Sequence, residues 1–597
     1  MIEDNKMERF HYFMLITINF LLLCANVNAR GNQFRHVVSD KAITFTNCTI
    51  DDVKNIREFH LQPEDVIISQ CHVPELPNAL FLRTSSLISL EITDCHLENI
   101  QDYALNGLTQ LQVLNLTRNN ISIVKSWSDH DLEGVQMIDL RRNQLRELNK
   151  NTFRRFPNLQ RLNVAVNFIE VLKENTFKYT PHLKYINLGK NLITHIAEYT
   201  FKGLHKLTHL SLHHNQIRYI DYFAFVSNSH LKALHLQGNA LTVFEAELVA
   251  NLPRLVHFNL SHNHLEVLSE GIFKRNLELK VLDLSYNNFT EFAETSFTGL
   301  ESLEVFNISH NQITELSKYI FREFTALTHL IVANNQLTAL EDELLEFVPK
   351  VRVLNVSGNE ISSIDGDLFD GLKNLKVLDL SRNRLANMNF FPSIGTQLDI
   401  LDLGWNLFRT IDLGKFVGVN HAILEGNPWY CSWLIHAMIT KVDSIDLGND
   451  YTFMGATKMN RVTGIECVDE ENGESRSVIL LREMDKSLED EGGNFNNWHA
   501  KNSQSLDTHQ GYNRGIFLTK STGGIDDFDY KAIFLWLTIG IAIVFGVTKV
   551  CRILLVKSER RSEEWRKDQH EKYMQELEEI DEKYMQQQMQ EHSIYKP

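Results

Sequence analysis

The middle of the chain repeats one pattern of apolar and polar positions many times. Each copy has apolar residues at positions one, four and six and an asparagine at position nine, as in LQVLNLTRN and LKVLDLSYN. Twelve successive asparagines, from Asn119 to Asn383, are spaced by 24 residues, and Asn406 ends a thirteenth copy. An aromatic residue usually follows ten residues later, as at Phe153 and Phe177. A fixed period of this length predicts a solenoid of stacked coils rather than separate globular domains.

Three cysteines extend this repeat toward the N-terminus. Cys48, Cys71 and Cys95 stand where the asparagine is expected, at steps of 23 and 24 residues. Equivalent positions in adjacent strands lie about 4.8 Å apart, within disulfide reach, so Cys48 with Cys71 and Cys71 with Cys95 are both feasible pairs. Five cysteines lie between residues 30 and 530. One of them is therefore a free thiol or an intermolecular link, and burial at an asparagine position favours the thiol.

The repeat resembles that of the leucine-rich-repeat family, over roughly Ile43 to Cys467. The resemblance implies an α/β repeat solenoid of about 17 units over residues 30–427, a horseshoe with a parallel sheet on its concave face. The leucines would point inward, and the asparagines would satisfy backbone groups where the chain leaves each strand. We therefore assign these leucine, asparagine and phenylalanine residues to the scaffold.

The end of the repeat, ILEGNPWYC, resembles the disulfide-bonded C-terminal cap of extracellular members of this family. Such a cap covers the apolar edge of the last coil, and we place it at residues 428–467. The commoner cap carries four cysteines, but Trp433 stands where the second is expected. The resemblance therefore implies a single Cys431–Cys467 bridge.

Two apolar segments predict how the chain meets a membrane. The first precedes Val27-Asn28-Ala29, which has the spacing of a signal-peptidase site, so we predict a signal peptide over residues 1–29. The second predicts a transmembrane helix over residues 531–551, with aspartates before it and lysines and arginines after it. The positive-inside rule then places residues 552–597 in the cytoplasm. The expected protein is a single-pass type I protein of the plasma membrane.

The segments around this helix are polar. Residues 468–530 are acidic and lose the repeat, so we interpret them as a flexible stalk, in which SVILLREMDKSLEDE could form a short amphipathic helix. The tail holds EKYMQ twice at an eleven-residue step, which permits a short coiled coil, and Ala542 and Gly546 permit close helix pairing. A Toll receptor would end in a folded signalling domain, which so short a polar tail cannot form. Signalling would therefore need a partner.

Charge and motifs exclude several classes of function. A net charge of −17 argues against a general nucleic-acid binder. The sequence contains no GxxxxGK[ST], HExxH or GxSxG motif. We therefore predict a protein that is not an enzyme, with no catalytic residue, metal or cofactor.

Seven sequons are predicted glycosylation sites in a secreted chain. Four of them share position five of the repeat, where side chains point out of the concave strands, and glycans on the last three of these would leave residues 163–240 open. The sequons are at Asn47, Asn115, Asn120, Asn259, Asn288, Asn307 and Asn355.

Basic residues and histidines concentrate on the outward positions of the concave stretch from about Arg141 to His262, with Asp139 as the one acidic residue. We predict that this stretch binds a ligand that is acidic or bound in a pH-dependent way, because side chains on adjacent strands should form one field and histidines titrate near pH 6.5. A metal site is less favoured, because these groups spread over several strands. The candidate residues are Arg141, Arg142, Arg161, Lys190, His209, His213, His214, His235, His257 and His262.

Two functions follow from this organisation. The leading hypothesis is a cell-surface recognition receptor or co-receptor that binds an extracellular protein or glycan on its concave face. The alternative is a homophilic or heterophilic cell-adhesion protein, which would aggregate beads or cells by itself. The arrangement resembles arthropod membrane-bound leucine-rich immune molecules, which would imply innate immunity, and also neural adhesion proteins of the same superfamily. The repeat motif does not distinguish them.

Overall fold

The structure is a computed structural model whose described residues all lie in one compact unit, Met1–Leu518. It describes residues 41–54, 56, 63–124, 132–340, 343–390, 398–416 and 418–433. It also describes the strand backbone at 35–38, 445–446, 464–468, 475–480 and 516–518.

A parallel sheet of short strands, one from each coil, runs through the solenoid. Each strand pairs with the strand of the coil before it and of the coil after it. An antiparallel strand, β1 (Arg35–Val38), precedes this series and β25 (Ile445–Asp446) follows it, which makes 19 strands. The strands between them are β2 Ala42–Thr46, β3 Asp65–Ser69, β5 Ser89–Thr93, β7 Val113–Asn115, β8 Met137–Asp139, β10 Arg161–Asn163, β12 Tyr185–Asn187, β14 His209–Ser211, β16 Ala233–His235, β17 His257–Asn259, β18 Val281–Asp283, β19 Val305–Asn307, β20 His329–Ile331, β21 Val353–Asn355, β22 Val377–Asp379, β23 Leu398–Asp402 and β24 Val419–Ile423.

The repeated apolar positions form one continuous core. In β10, Leu162 is fully buried while Arg161 and Asn163 are half-buried, and most of the other strands show the same alternation. The phenylalanines stack beneath the convex side, with ring centroids 5.8 Å apart between Phe177 and Phe201. The assignment of the leucines and phenylalanines to the scaffold is confirmed.

The asparagines join each coil to the one before it. Asn191 donates from Nδ2 to the carbonyls of Val164, Leu188 and Gly189, and its Oδ1 accepts the backbone N–H of Ile169. The same set recurs along the solenoid, for example at Asn383. Since a buried peptide group without a partner costs about 1–3 kcal/mol, this ladder fixes the spacing of the coils.

The residue before each asparagine has a positive φ. The backbone there turns out of the strand in the left-handed conformation, as at Arg142 (φ 55°), Lys190 (φ 55°) and His262 (φ 52°). The sequence predicts these side chains on the strands. They lie instead in a row of turns at the carboxyl edge of the sheet, which we call the turn row.

The remaining elements are short. Three two-stranded ladders follow the turns, on the flank where the chain leaves the concave sheet, and two five-residue helices interrupt the coils. The ladders pair β4 (Glu75–Leu76) with β6 (Asn99–Ile100), β9 (Glu147–Leu148) with β11 (Val171–Leu172), and β13 (His195–Ile196) with β15 (Tyr219–Ile220). The helices are α1 (Ile50–Lys54) and α2 (Ala246–Ala250), and a 3-10 turn spans Leu413–Phe416.

The N-terminal cysteines form one disulfide and one thiol. Cys48 is bonded to Cys71, with their Cα atoms 4.4 Å apart, and Cys95 is a buried free thiol. The Cys95 sulfur takes the place of the asparagine amide, since it lies 3.4 Å from the carbonyl oxygen of Ile68 and 3.1 Å from that of Thr93. Asn119 donates to the equivalent carbonyls one coil later.

Two tryptophans close the last coil. Trp433 stacks on Trp429 with ring centroids 4.2 Å apart, and its indole N–H donates to the Ile411 carbonyl. Trp433 thus packs where the commoner cap has a cysteine. Cys431 is disulfide-bonded, and a backbone bridge joins Tyr430 to Val468, one residue beyond the predicted partner, Cys467.

Part of the predicted stalk is a β-sheet. Strand β26 (Gly464–Val468) pairs with β27 (Ser475–Leu480), which pairs with β28 (Ile516–Leu518), all antiparallel. The helix considered from Ser477 onward therefore begins inside a strand. The remaining stalk residues, the signal peptide, the predicted span 531–551 and the tail lie outside the described residues. Within the described ranges, no helix is long and apolar enough to cross a membrane.

Candidate ligand-binding face

The candidate face is the concave sheet from β8 to β17. On each strand the central residue is buried, so the two residues beside it face the concavity. The strand register aligns Arg161, Tyr185, His209, Ala233 and His257 across five neighbouring strands. These groups form one row, in which Ala233 is buried between His209 and His257.

The ten predicted residues occupy three kinds of position and do not form one continuous charged surface. Arg161, His209, His235 and His257 lie on the strands, and the structure brings them together. Arg141 and His213 follow the strands. Arg142, Lys190, His214 and His262 lie in the turn row and are exposed.

Arg141 does not act as a separate cation. Its Nε lies 2.9 Å and 3.1 Å from the two carboxylate oxygens of Asp139, which is only 3% exposed. Burial raises the pKa of Asp139, while the backbone N–H and the guanidinium of Arg141 oppose that rise. The two charges offset each other. The carboxylate of Asp139 is therefore covered by Arg141, and Arg141 adds little to the positive electrostatic potential of the face.

Arg161 is a half-buried cation on the strands, near the carboxylate of Asp139. Its guanidinium carbon lies 5.1 Å from the ring centroid of Tyr185. Burial lowers the pKa of Arg161, but a guanidinium stays protonated at neutral pH. Stacking on Tyr185 holds the planar group in one orientation, which favours bidentate contact with carboxylate or sulfate.

His213 is enclosed by the preceding coil. Its ring lies over Gly189, where an added Cβ would be 2.1 Å from the ring. Burial, followed by the charges of His214, His235 and Lys190, lowers the pKa of His213 to about 3. His213 is therefore neutral at physiological pH.

His209 and His235 are also neutral at physiological pH. Burial lowers the pKa of His209 to about 4, and His235, His257, Lys232 and Arg161 lower it further. Burial also lowers the pKa of His235 to about 4. The expected titration near pH 6.5 is therefore wrong for these two residues and for His213, because the concave surface removes their rings from water.

An exposed apolar pair lies among the cations of the turn row. Val166, between Arg142 and Lys190, has φ 57°, which is unusual for a β-branched residue, and is 39% exposed. Phe168, two residues on, is 49% exposed. The sequence analysis passed over both residues because it followed charge alone. Their positions in the repeat, one before and one after Asn167, were the signal that could have found them.

A polar groove of about 420 Å³ opens at the amino edge of the sheet. Gln160 donates to Gln136 at 3.3 Å, and Lys206 lies 3.0 Å from Nδ1 of His182. Sequence reasoning missed this groove, although position two of the repeat holds a run of three glutamines followed by Lys184. The lining residues are Thr109, Gln110, Gln112, Glu133, Gly134, Gln136, Asn158, Gln160, His182, Lys184 and Lys206.

The sequon asparagines at position five are bonded to the backbone. Oδ1 of Asn115, Asn259, Asn307 and Asn355 accepts the N–H of the residue two positions on, at 2.9–3.2 Å. Asn307 is only 8% exposed. Their glycosylation remains a prediction. Among the described residues, no group of three or more histidine, cysteine or acidic side chains could hold a metal ion.

The sequence matches a known repeat family. The leucine rich repeat model matches residues 85–145, 157–217, 210–265, 254–313, 278–337 and 325–385. These matches include most of the candidate face. No curated protein sequence matches the chain.

Solved structures share the fold. A leucine-rich-repeat protein of Leptospira interrogans is 24% identical with a TM-score of 0.55, and the match covers 64% of this chain and 95% of that one. A chain of the Drosophila Toll–Spatzle complex is 18% identical with a TM-score of 0.56, covering 70% and 63%. The ectodomain of a membrane receptor kinase from Arabidopsis thaliana, in complex with Casparian strip integrity factor 2, is 19% identical with a TM-score of 0.50, covering 67% and 51%.

Proposed function

Because this chain is a leucine-rich-repeat protein, we propose that it is a cell-surface recognition receptor or co-receptor whose concave face, together with the turn row at its edge, binds an acidic protein or glycan ligand. The observation that carries this proposal is the arrangement of Arg142, Arg161 and Lys190. These cations lie on three neighbouring coils, while the nearby carboxylate of Asp139 is buried beneath Arg141. A ligand with negative charge meets attraction there without a matching repulsion.

Exposed apolar groups beside these cations favour a protein ligand over a purely polyanionic one. Val166 lies between Arg142 and Lys190 in the turn row, and the exposed Phe168 follows it by two residues. Interfaces commonly combine an apolar anchor with a charged rim. Two solved structures with this fold are complexes, one of Toll with Spatzle and one of a plant receptor kinase ectodomain with Casparian strip integrity factor 2, which supports a binding role.

The proposed location follows from the sequence. A signal peptide over residues 1–29 would direct the solenoid outside the cell, and a helix over residues 531–551 would hold it in the plasma membrane. The tail, residues 552–597, would recruit a signalling partner. A role in innate immunity is the part of this proposal that rests on resemblance alone.

Charge reversal on the face tests the proposal. Full-length protein in mild detergent is applied to immobilised heparin, a polyanionic glycan, and to a panel of secreted proteins. Arg142→Glu with Lys190→Glu should lower the salt concentration that elutes the protein from heparin, because two attractions become repulsions. The same variant should no longer bind any acidic protein that the wild type binds in the panel.

A matched control carries the same change of charge elsewhere. Lys350→Glu with Lys373→Glu alters two exposed lysines of later coils, outside the candidate face. This control should bind heparin nearly as the wild type does. Equal losses in both variants would show a general effect of net charge and contradict a site on the concave face.

A further inference from the structure

A second exposed surface lies on the flank of the solenoid, away from the concave face. We call it the flank patch, and its side chains are between 40% and 54% exposed. The rings of Tyr199 and Phe223 stack there with centroids 6.0 Å apart. The flank patch consists of Tyr199, Tyr219, Tyr222, Phe223, Val226 and Val243.

The repeat itself shows that these apolar residues are not needed by the fold. The position of Tyr222 is an exposed glutamate in other coils, including Glu174, Glu198 and Glu270. The position of Val226 is likewise an exposed lysine, at Lys178, Lys202 and Lys274. This coil therefore lacks both charges, which the preceding coil keeps at Glu198 and Lys202, while the following coil has Ala246 and Ala250 there. Protein interfaces show the same exchange, since tyrosine is enriched there and lysine and glutamate are depleted.

The flank patch also has clear limits along the solenoid. The position of Tyr219 is apolar and exposed at Val171, Val243 and Val267, with His195 in the same row. The row changes to an exposed glutamate at both ends, at Glu147 and Glu291. At this repeat position the exposed apolar residues are therefore confined to consecutive coils and are replaced by glutamate on either side. Such confinement indicates a bounded contact surface rather than scattered surface apolar residues.

Glycans would not cover this surface. The chain has no sequon between Asn120 and Asn259, and the flank patch lies wholly within that interval. A partner protein can therefore reach the patch even if every sequon is occupied.

The charges beside the flank patch favour a particular partner. Lysines outnumber glutamates on the coils before it, and glutamates outnumber lysines on the coils after it. Two copies packed antiparallel would bring these unlike ends together, as a two-fold contact requires of a self-complementary surface. The charged groups before the patch are Lys173, Glu174, Lys178, Glu198 and Lys202, and those after it are Glu245, Glu247, Glu270 and Lys274.

From these observations we infer that the flank patch is the contact between two copies of this chain, arranged antiparallel about a two-fold axis. This contact is separate from the concave face, so the chain would bind its ligand and its own copy on different surfaces. The inference goes beyond the proposed function and does not rest on it.

Cysteine crosslinking tests which surface meets the second copy. Single substitutions Tyr222→Cys, Phe223→Cys and Val226→Cys are made in the full-length chain and expressed on cells. Because a residue near a two-fold axis faces its own counterpart, at least one of them should give a disulfide-linked dimer under mild oxidation. Glu174→Cys and Glu270→Cys are the matched controls, since they occupy the repeat position of Tyr222 outside the patch.

A second variant keeps the fold and removes the surface. Tyr222→Glu with Val226→Lys restores the pair present at Glu198 and Lys202, so this coil should still fold. Two differently tagged copies of this variant should co-purify at least about tenfold less than wild-type copies, because charges would be buried without partners. Exchanging Glu270 and Lys274 should leave co-purification unchanged.

Crosslinking at the patch together with loss of co-purification in the double variant would establish the contact. Dimers that form no better at the patch than at Glu174→Cys and Glu270→Cys would overturn it. Wild-type copies that do not co-purify would also overturn it, and the patch would then face a different protein. Unchanged heparin binding by the double variant separates this result from the test of the concave face.

Discussion

The imidazole of His213 occupies the space above Gly189, so that a Cβ on Gly189 would lie 2.1 Å from the ring. Gly189→Ala should therefore displace the ring toward water and lower the stability by about 1–3 kcal/mol, as overpacking commonly does. It should also raise the pKa of His213 from about 3 toward the ordinary value of 6.5. Histidine C2 deuterium exchange followed by mass spectrometry measures the pKa, and thermal unfolding measures the stability.

Gly371→Ala is the control for this substitution, because no atom lies within 4 Å of an added Cβ there. It should change the stability by less than about 0.5 kcal/mol. A Gly189→Ala protein that unfolds like the Gly371→Ala protein would show that His213 moves aside without cost.

The neutral histidines give the protein a defined pH dependence. The pKa values of His209, His213 and His235 are lower in the folded chain than the ordinary 6.5. Between about pH 6.5 and about pH 4 the unfolded chain therefore binds more protons than the folded chain, so the stability should fall as the pH falls through this range. Thermal unfolding of the wild type should show this loss, and His213→Gln should reduce it.

Heparin binding should not depend on His213. Since His213 stays neutral between about pH 7.5 and about pH 5.5, His213→Gln should bind heparin within about twofold of the wild type at both pH values. Surface plasmon resonance at constant ionic strength makes the comparison. A difference of tenfold or more between the two proteins at about pH 5.5 alone would mean that His213 is charged in the folded protein.

The repeat made most of the fold predictable, since in every coil its leucines and phenylalanines form the core and its asparagines bond to the backbone. The site was less predictable because the variable side chains also pack on one another. The pairing of Arg141 with Asp139 needs only a separation of two residues, which strand alternation suggests. The burial of His213 depends on a missing side chain one coil earlier, at Gly189, and could be found only by comparing adjacent coils.

Backbone geometry explains another difference. A strand pattern read from sequence gives every polar position an outward side chain, but Arg142 and Lys190 adopt positive φ and belong to turns. That conformation is imposed by the asparagine ladder and not by the preference of arginine or lysine. Similarly, the acidic composition around β27 (Ser475–Leu480) suggested a flexible stalk, although a strand pairing with β26 forms there.

Asp402 should destabilise the protein above neutral pH. Burial raises the pKa of its carboxyl to about 7, and Asp379 and Glu425 contribute, against the N–H of Gly404 and the charge of Arg382. Because the folded pKa lies above the ordinary 3.8, this group contributes stability at low pH that is lost as the pH rises through about 7. Asp402→Asn should therefore stabilise the protein at about pH 8 by about 1–3 kcal/mol and much less at about pH 5.

An asparagine fits this position, since Asn355 accepts the N–H of Ser357 as Asp402 accepts that of Gly404. Thermal unfolding at both pH values measures the difference. Asp370→Asn, at an exposed site, controls for the loss of one negative charge. The same gain at both pH values would show that burial of Asp402 is not its cause.

Substitutions at Cys95 test whether the thiol replaces the asparagine amide. Burial raises the pKa of Cys95 to about 11, so the thiol stays protonated and can donate a hydrogen bond to the carbonyl oxygens of Ile68 and Thr93. Cys95→Asn should restore the ladder and unfold within about 1 kcal/mol of the wild type, while Cys95→Ala loses these contacts and should cost about 1–3 kcal/mol. Thermal unfolding under non-reducing conditions, with the Cys48–Cys71 bond intact, separates the two variants. Equal losses of stability in both variants would mean that the volume of the side chain at this position matters, and not its ability to donate a hydrogen bond.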